Sequence, residues 1–573
     1  MSDETASEET ASEESIGVLF VRRDLRLANN PILHHLSVDI PGVIKYTPTH
    51  LLVVYVLPPD QVETSGLLKA GEASPYPPAL SENSHAWRTG LHRVRFLAES
   101  VWDMKESLEE FGMGLIIRVG SFPEVLESIN SHYSRLKYGP QVSEVYIAKG
   151  YSVDELREER EVFATCTYLG IRYVSFDDRK PLVNLKDTPM SLMDNVPDEF
   201  SAFESQVDPL IDGGGASLQE PTWLPPFPNH VPIPPQSGPF EIPNTLVGLI
   251  QKLVDPVRLD FSFFNGLDLN GAMPLTRCVG GETRAVAQLR YVIKQGIATR
   301  FHESNDLEDS QECLRLAGYL SFGCITARQI HEELLKLENG TEPDYEETDG
   351  YNEGVTPGTK ALRAELLRRD FLLVSSKKHG PDLYDINGSG PGRNTNIVWK
   401  SPNPAKARPD QQPSTLYIDG VMVQFQVGAT GYGLVDAIMR QLIFTGHVGT
   451  RSHKLIVNFL AKFAGIDWQM GAEWVASLSY DHDTSLQWYT WQHYAGIGPD
   501  LSGREAVVSP VHEAFELDPN GSFVRKWMPE LRRLTRLSNL FQVGTTSSEL
   551  LLRFGLPGHV MVTNPVSSDT LNL

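Results

Sequence analysis

Four short runs of consecutive apolar residues open the chain, at 16–21, 51–57, 114–119 and 144–148. Between and after them apolar positions recur with helical spacing, most clearly over 87–111 and 153–169. A strand that is apolar on both faces must be covered on both faces, so these runs predict a mainly parallel, Rossmann-like sheet wrapped by helices. Such a fold takes a ligand beyond the strand C-termini. Neither GxGxxG nor GxxxxGK(S/T) occurs, which excludes an ordinary dinucleotide or P-loop site.

The pattern changes after the first domain. Residues 206–245 hold ten prolines and a GGG, including LPPFPNHVPIPP, and read as an extended connector. From about residue 280 the periodicity turns helical, interrupted by an acidic, Gly-rich loop at 338–358 and a Gly/Pro/Asn-rich one at 385–414. The organisation expected is an acidic tail (1–15), an α/β domain (16–180), an interdomain linker (181–275), a large all-α domain (276–540) and a C-terminal tail (541–573).

Composition narrows the class. With 41% hydrophobic and 21% charged residues, global disorder is excluded. The first fifteen residues carry six carboxylates and no cation, which fits neither a secretory signal nor a transit peptide. No apolar run reaches membrane-spanning length, and the four cysteines lack zinc or disulfide spacing. A soluble monomer of the cytoplasm or nucleus, without metal or membrane partner, is therefore expected. The net charge of −23 looks hostile to nucleic acid, but its distribution is uneven. From Lys360 onward 21 Lys/Arg face 19 Asp/Glu, a balance of +2, so residues 1–359 carry −25. On charge alone, two domains of different surface charge explain this better than a nucleic-acid surface does.

The densest chemistry lies in 466–496, IDWQMGAEWVASLSYDHDTSLQWYTWQHYAG, with four of the nine tryptophans and the triplet Asp481, His482, Asp483. Core packing accounts for any single tryptophan. Carboxylates in an aromatic-rich stretch are costly unless paired or hydrogen-bonded. No further ligand set accompanies Asp-x-Asp to make a metal motif. A planar, nitrogen-rich cofactor that donates N–H groups fits better.

At this point the chain resembles the photolyase/cryptochrome family and, within it, fungal DASH-type cryptochromes. The segments VLFVRRDLRLANNPIL, GGETRAVAQL, LAGYLSFGCITARQI, ATGYGLVDAIMRQLIFTG, IDWQMGAEW, DHD and NGSFVRKWMPEL stand in family order. The resemblance implies an α/β antenna domain linked to a helical domain that encloses FAD. It places Asp481 in a charge pair near the flavin, with His453 where relatives have the partner arginine, and Asp483 as acceptor from ring N–H groups. His482 shares that turn. Arg315 matches the arginine of the diphosphate loop, flanked by Cys313, Leu314, Leu316 and Ala317. Relatives have hydroxyls around it, and Phe301 stands for a tyrosine. Thr450 stands for an asparagine, and Gln487 for the residue facing the flavin N5. Four absent hydroxyls (at positions 301, 313, 314 and 317), at about 1 kcal/mol each, predict a looser grip on FAD.

Glu365 matches a glutamate that contacts adenine and lesion in light-driven repair, although its spacing also suits a solvated helix charge. Arg368 replaces the tryptophan that stacks on a thymine dimer; it is equally a surface arginine. Trp491, Trp468 and Trp399 match the electron-transfer chain, Trp399 lying in a loop. Asp154 and Glu155 fall where relatives bind 5,10-methenyltetrahydrofolate, and are also ordinary helix N-terminal acids. Three readings follow. One is a blue-light photoreceptor with a signalling protein partner and weak repair of cyclobutane pyrimidine dimers in single-stranded DNA. The others are a fully active deoxyribodipyrimidine photolyase and a flavin-free scaffold for nucleic acid or protein.

Overall fold

The computed structural model describes residues 14–38, 47–136, 139–178, 180–185, 190, 193–211, 217–260, 262–264, 277–301, 307, 314–504 and 507–567. Strands β1 (Ser15–Val21), β2 (His50–Leu57), β3 (Leu115–Val119), β4 (Gln141–Lys149) and β5 (Arg172–Asp177) form one parallel sheet in the order β3-β2-β1-β4-β5. The first four correspond to the apolar runs, and β1 and β2 are buried nearly throughout. β5 is an edge strand whose last five residues are half-buried, and its mixed sequence RYVSFD carries no apolar run. The order reverses at β1, which pairs with β2 on one side and β4 on the other, and this places the ligand crevice at its C-terminal end.

Side-chain caps set where the surrounding helices start. Asn30 accepts from the backbone N–H of Ile32 and Leu33 at the head of helix Pro31–Ser37. Ser121 with Glu124, and Ser152 with Glu155, close capping boxes on helices Phe122–Ser134 and Val153–Leu169. The second box fixes the Val153–Leu169 N-terminus at the C-terminal end of β4, beside Arg22 and Arg23.

The connector contains no helix between 217 and 245 among the described residues, and then forms helix Leu246–Val254, which packs on Leu91–Glu110. The helical domain begins with Glu282–Lys294 and is joined closely to the sheet domain. Glu282 accepts from the backbone N–H of Leu27 (2.6 Å) and Ala28 (3.0 Å). Asn29 donates to Thr326 Oγ1 at 2.8 Å, and Arg26 to the Gly323 carbonyl at 3.1 Å. Glu473 accepts from the backbone and side chain of Asn83 and from the Ser84 N–H.

One expectation changes. Residues 541–567, read from sequence as a tail, fold onto the helical domain through Leu551, Leu556, Met561 and Val566, all buried. The Gln424 side chain donates to the Asn564 carbonyl at 2.8 Å, and the Val566 N–H to the Thr430 carbonyl at 3.0 Å. The 385–414 loop is tethered too. Its Lys400 N–H donates to the Gly465 carbonyl, and the Asp467 N–H donates back to the Lys400 carbonyl, both at 2.9 Å.

Candidate functional site

Asp483 sits where the domains meet. It caps helix Thr484–Ala495, one carboxylate oxygen accepting from the Ser485 N–H at 3.0 Å. The other accepts from Arg369 at 3.0 Å, and the Arg369 guanidinium also donates to the Leu320 carbonyl at 3.0 Å. Arg23, from the turn after β1, stands 3.7 Å from Asp483 and 3.9 Å from Glu155. One guanidinium therefore links the sheet crevice to the acidic turn of the helical domain. Arg93 lies beside this group, and burial, with Arg23 repelling it, pushes its guanidinium down to about 9. Asp483 is thus held by cations, where the sequence reading had it accepting from the flavin ring.

Asp481 pairs with His447, Nδ1 to Oδ2, at 2.9 Å. The expected partner, His453, instead sets its ring edge-on to Trp491, with centroids 5.7 Å apart. Burial pushes its imidazole down to about 4, Asp481 opposing the shift. Motif position could not separate the two histidines, because the TGHVG turn brings His447 to Asp481 through space. His482 Nδ1 is bonded to Gln487 Oε1, and burial, reinforced by Arg93, holds that ring neutral. Gln487 is thereby committed to His482.

Trp491 and Trp468 have no exposed surface, and Trp399 is 7% exposed. A side chain at Gly471 would come within 2.5 Å of the Trp491 ring, so glycine there is what lets the helix Trp468–Leu478 approach it. Trp468 Nε1 donates to the Ile386 carbonyl at 3.0 Å, and Trp399 Nε1 to the same oxygen at 3.1 Å. Trp399 is therefore fixed beside Trp468, despite its loop-like sequence. Trp488, which sequence reasoning passed over, meets Trp468 edge to face at 5.5 Å.

Around the diphosphate loop, Arg315 adopts a left-handed φ of 46° next to the helix Ala317–Phe322. Leu316 is buried, Leu314 and Phe301 are partly buried against the core, and Ala317 is exposed. Cys313 lies outside the described residues. Thr450 is the exposed first residue of helix Thr450–Val457.

Helix Pro357–His379 carries Glu365 and Arg368, whose side chains lie 3.7 Å apart. The Arg368 guanidinium lies 4.3 Å from the Phe200 ring centre, on a helix of the linker. Arg363, two residues before Glu365, and Arg369, the residue after Arg368, are not available to a nucleic acid. Arg363 is buried in a two-pronged pair with Glu338 (2.9 and 2.5 Å), with His331 3.0 Å from its Nε. In the sheet crevice Asp154 pairs with Arg157 at 3.4 Å. Glu155 accepts from the Tyr151 N–H, the Ser152 N–H and the Ser152 hydroxyl. Burial opposes its ionisation, but Lys180, Arg23 and Arg22 outweigh that and hold the carboxyl far below the usual range.

Comparison with known proteins fits this arrangement. A profile described as DNA photolyase matches residues 17–222, and one described as the FAD-binding domain of DNA photolyase matches 364–548. A Neurospora crassa protein named as a mitochondrial cryptochrome DASH is 36% identical over 96% of this chain and 75% of its own length. A Gibberella zeae protein of that name, without the organelle, is 35% identical over 96% and 78%. The chain belongs to the DASH group of the photolyase/cryptochrome family. The fold agrees with a Synechocystis cryptochrome (TM-score 0.69, 23% identity, 95% of this chain and 94% of that one). It agrees equally with a class III photolyase of Agrobacterium tumefaciens (TM-score 0.68, 18% identity, 98% and 96%). Among the described residues of this DASH-family chain, no helix is long and apolar enough to cross a membrane.

The residues present fit a flavin. Ser452 Oγ and His453 Nε2 in helix Thr450–Val457, and Ser485 Oγ and Trp491 Nε1 in the helix after the acidic turn, are buried polar atoms without a hydrogen-bond partner among the described residues. With Arg315 and Asp481 they make a donor and acceptor set suited to a polar, planar, phosphate-bearing ligand.

Proposed function

We propose that this DASH-family protein is a blue-light photoreceptor in which Trp491, Trp468 and Trp399 pass electrons inward to FAD. FAD would supply the chromophore and the one-electron acceptor. Arg315 would meet its diphosphate, and Asp481 with His447 would hold a proton beside the ring. The observation that carries the reading is the indole series itself. An electron given up by buried Trp491 is replaced from Trp468, and that one from Trp399, which shares an acceptor with Trp468 and is slightly exposed.

Repair of cyclobutane dimers is weak in this reading and confined to single-stranded DNA, for which extrusion costs least. Support comes from Arg368, which stacks on Phe200 and neighbours Glu365 where an indole would hold the lesion. The reading also takes 5,10-methenyltetrahydrofolate as antenna near Asp154 and Glu155, a signalling protein partner, a monomer, and a cytoplasmic or nuclear location. The test is the absorption spectrum of purified protein before and after blue illumination with a reductant. An oxidised-flavin band that bleaches supports it, including one that grows when FAD is added. No flavin uptake at high FAD, or a band indifferent to light, defeats it.

A further inference from the structure

We infer that Glu14, His50 and His230 form a binding site for one divalent transition metal ion, with zinc the best match. Each offers one ligand atom, and the three lie within 4.8 Å of one another, a convergence found nowhere else among the described residues. Neighbouring ligand atoms around tetrahedral zinc stand roughly 3.3 Å apart, given bonds of about 2.0–2.1 Å. His230 Nε2 and Glu14 Oε2 are already 2.9 Å apart, and the two imidazole rings have centroids 4.5 Å apart. Closing the remaining gap takes only rotation of half-exposed side chains. Two imidazoles and one carboxylate, with water in the fourth position, suit zinc rather than calcium or magnesium, which favour all-oxygen shells.

The backbone holds the ligands in place. Ile16 pairs with His50 across β1 and β2, so the residue just before β1 is carried to the start of β2. The connector is fixed on both sides of His230. Its Pro226 carbonyl accepts from the Leu51 N–H at 3.0 Å, and its Pro232 carbonyl lies 2.9 Å from His132 Nε2. Thr49 orients His50. Its hydroxyl donates to the Ser15 carbonyl at 2.8 Å and so must accept from His50 Nδ1, 3.0 Å away. That selects the tautomer whose Nε2 carries the lone pair a metal needs, the usual role of an outer-shell partner. The ion would bind the start of β1, the start of β2 and the connector together. The ligands are so far apart along the chain that spacing could not reveal them, and the sequence reading expected no metal.

The test uses the full-length protein, stripped with chelator and titrated with zinc chloride in a calorimeter, with flavin absorbance as a control for folding. Wild type should take up one zinc ion per chain. His50→Ala and His230→Ala should abolish uptake, and Thr49→Val should weaken it by about tenfold. Glu14→Gln alters an exposed side chain and should weaken binding with flavin absorbance unchanged, so misfolded histidine variants cannot mimic the result. No uptake by wild type at millimolar zinc, or wild-type affinity in the His50→Ala/His230→Ala double variant, overturns the assignment.

Discussion

The indole N–H groups of Trp468 and Trp399 converge on a single acceptor, the Ile386 carbonyl, at 3.0 and 3.1 Å. The shared oxygen fixes the two rings relative to each other, and tryptophan-to-tryptophan electron transfer depends steeply on such placement. Trp491→Phe and Trp468→Phe should each slow photoreduction sharply, and Trp399→Phe should slow it too. Time courses of bleaching under blue light with a fixed reductant decide this. A Trp399→Phe rate equal to wild type would remove that residue from the chain.

Arg363 and Arg368 sit five residues apart and should behave oppositely. Arg363→Ala leaves buried Glu338 unpaired, which costs about 3–5 kcal/mol. Arg368→Ala loses one exposed ring contact and one loose ion pair and should cost under about 1 kcal/mol. If Arg368 meets a phosphate, the same change should flatten the slope of log affinity against log salt by about 0.7 for single-stranded DNA. Urea unfolding and binding titrations at three salt concentrations read the two effects. An unaltered salt slope would place Arg368 off the DNA path.

His453 should make the protein acid-sensitive. Its imidazole lies at about 4 when folded, against 6.5 for the ordinary group, because burial disfavours the cation. The unfolded chain therefore binds the proton more readily. The stabilising contribution is complete above about pH 6.5 and is lost as pH falls toward 4, reaching about 2 kcal/mol at pH 5. His453→Phe should narrow the difference between the urea midpoints at pH 7.5 and pH 5. Part of the difference should remain, since burial also lowers His482, His92 and His493. An identical pH dependence in the variant would contradict this.

The C-terminal segment should matter to stability. Met561 is fully buried, and Met561→Ala should cost about 2–4 kcal/mol by leaving a cavity. A chain ending at residue 546 should lose more, because Leu551, Leu556 and Val566 go as well. Unfolding midpoints no lower than wild type would mean that the segment merely lies on the surface.

What could be read beforehand followed from one-dimensional signals. Strands β1 to β4 announced themselves because burial on both faces needs continuous apolar runs. β5 did not, since an edge strand may keep its polar residues. The two short helices after residue 547 were missed for a similar reason: each is held by one or two buried side chains, too few to set a period. At the site, Trp491, Trp468 and the acidic turn stood out by composition. The Asp481–His447 pair, the Arg369 and Arg23 contacts to Asp483, and the burial of Trp399 depend on which loops meet in space. None of these has a fixed spacing to find.

The carboxylates of Glu282 and Glu473 have a consequence for how the chain could be divided. Both belong to the helical domain, Glu473 buried and Glu282 partly buried, and the N–H groups they accept from belong to the sheet domain. Burial already pushes Glu282 up to about 7 with those donors in place. Cut in the proline-rich connector, the polypeptide should not separate into two autonomous pieces. Each half would present a surface made for the other, and the two should work as complementing fragments that recover their native form only on reassociation.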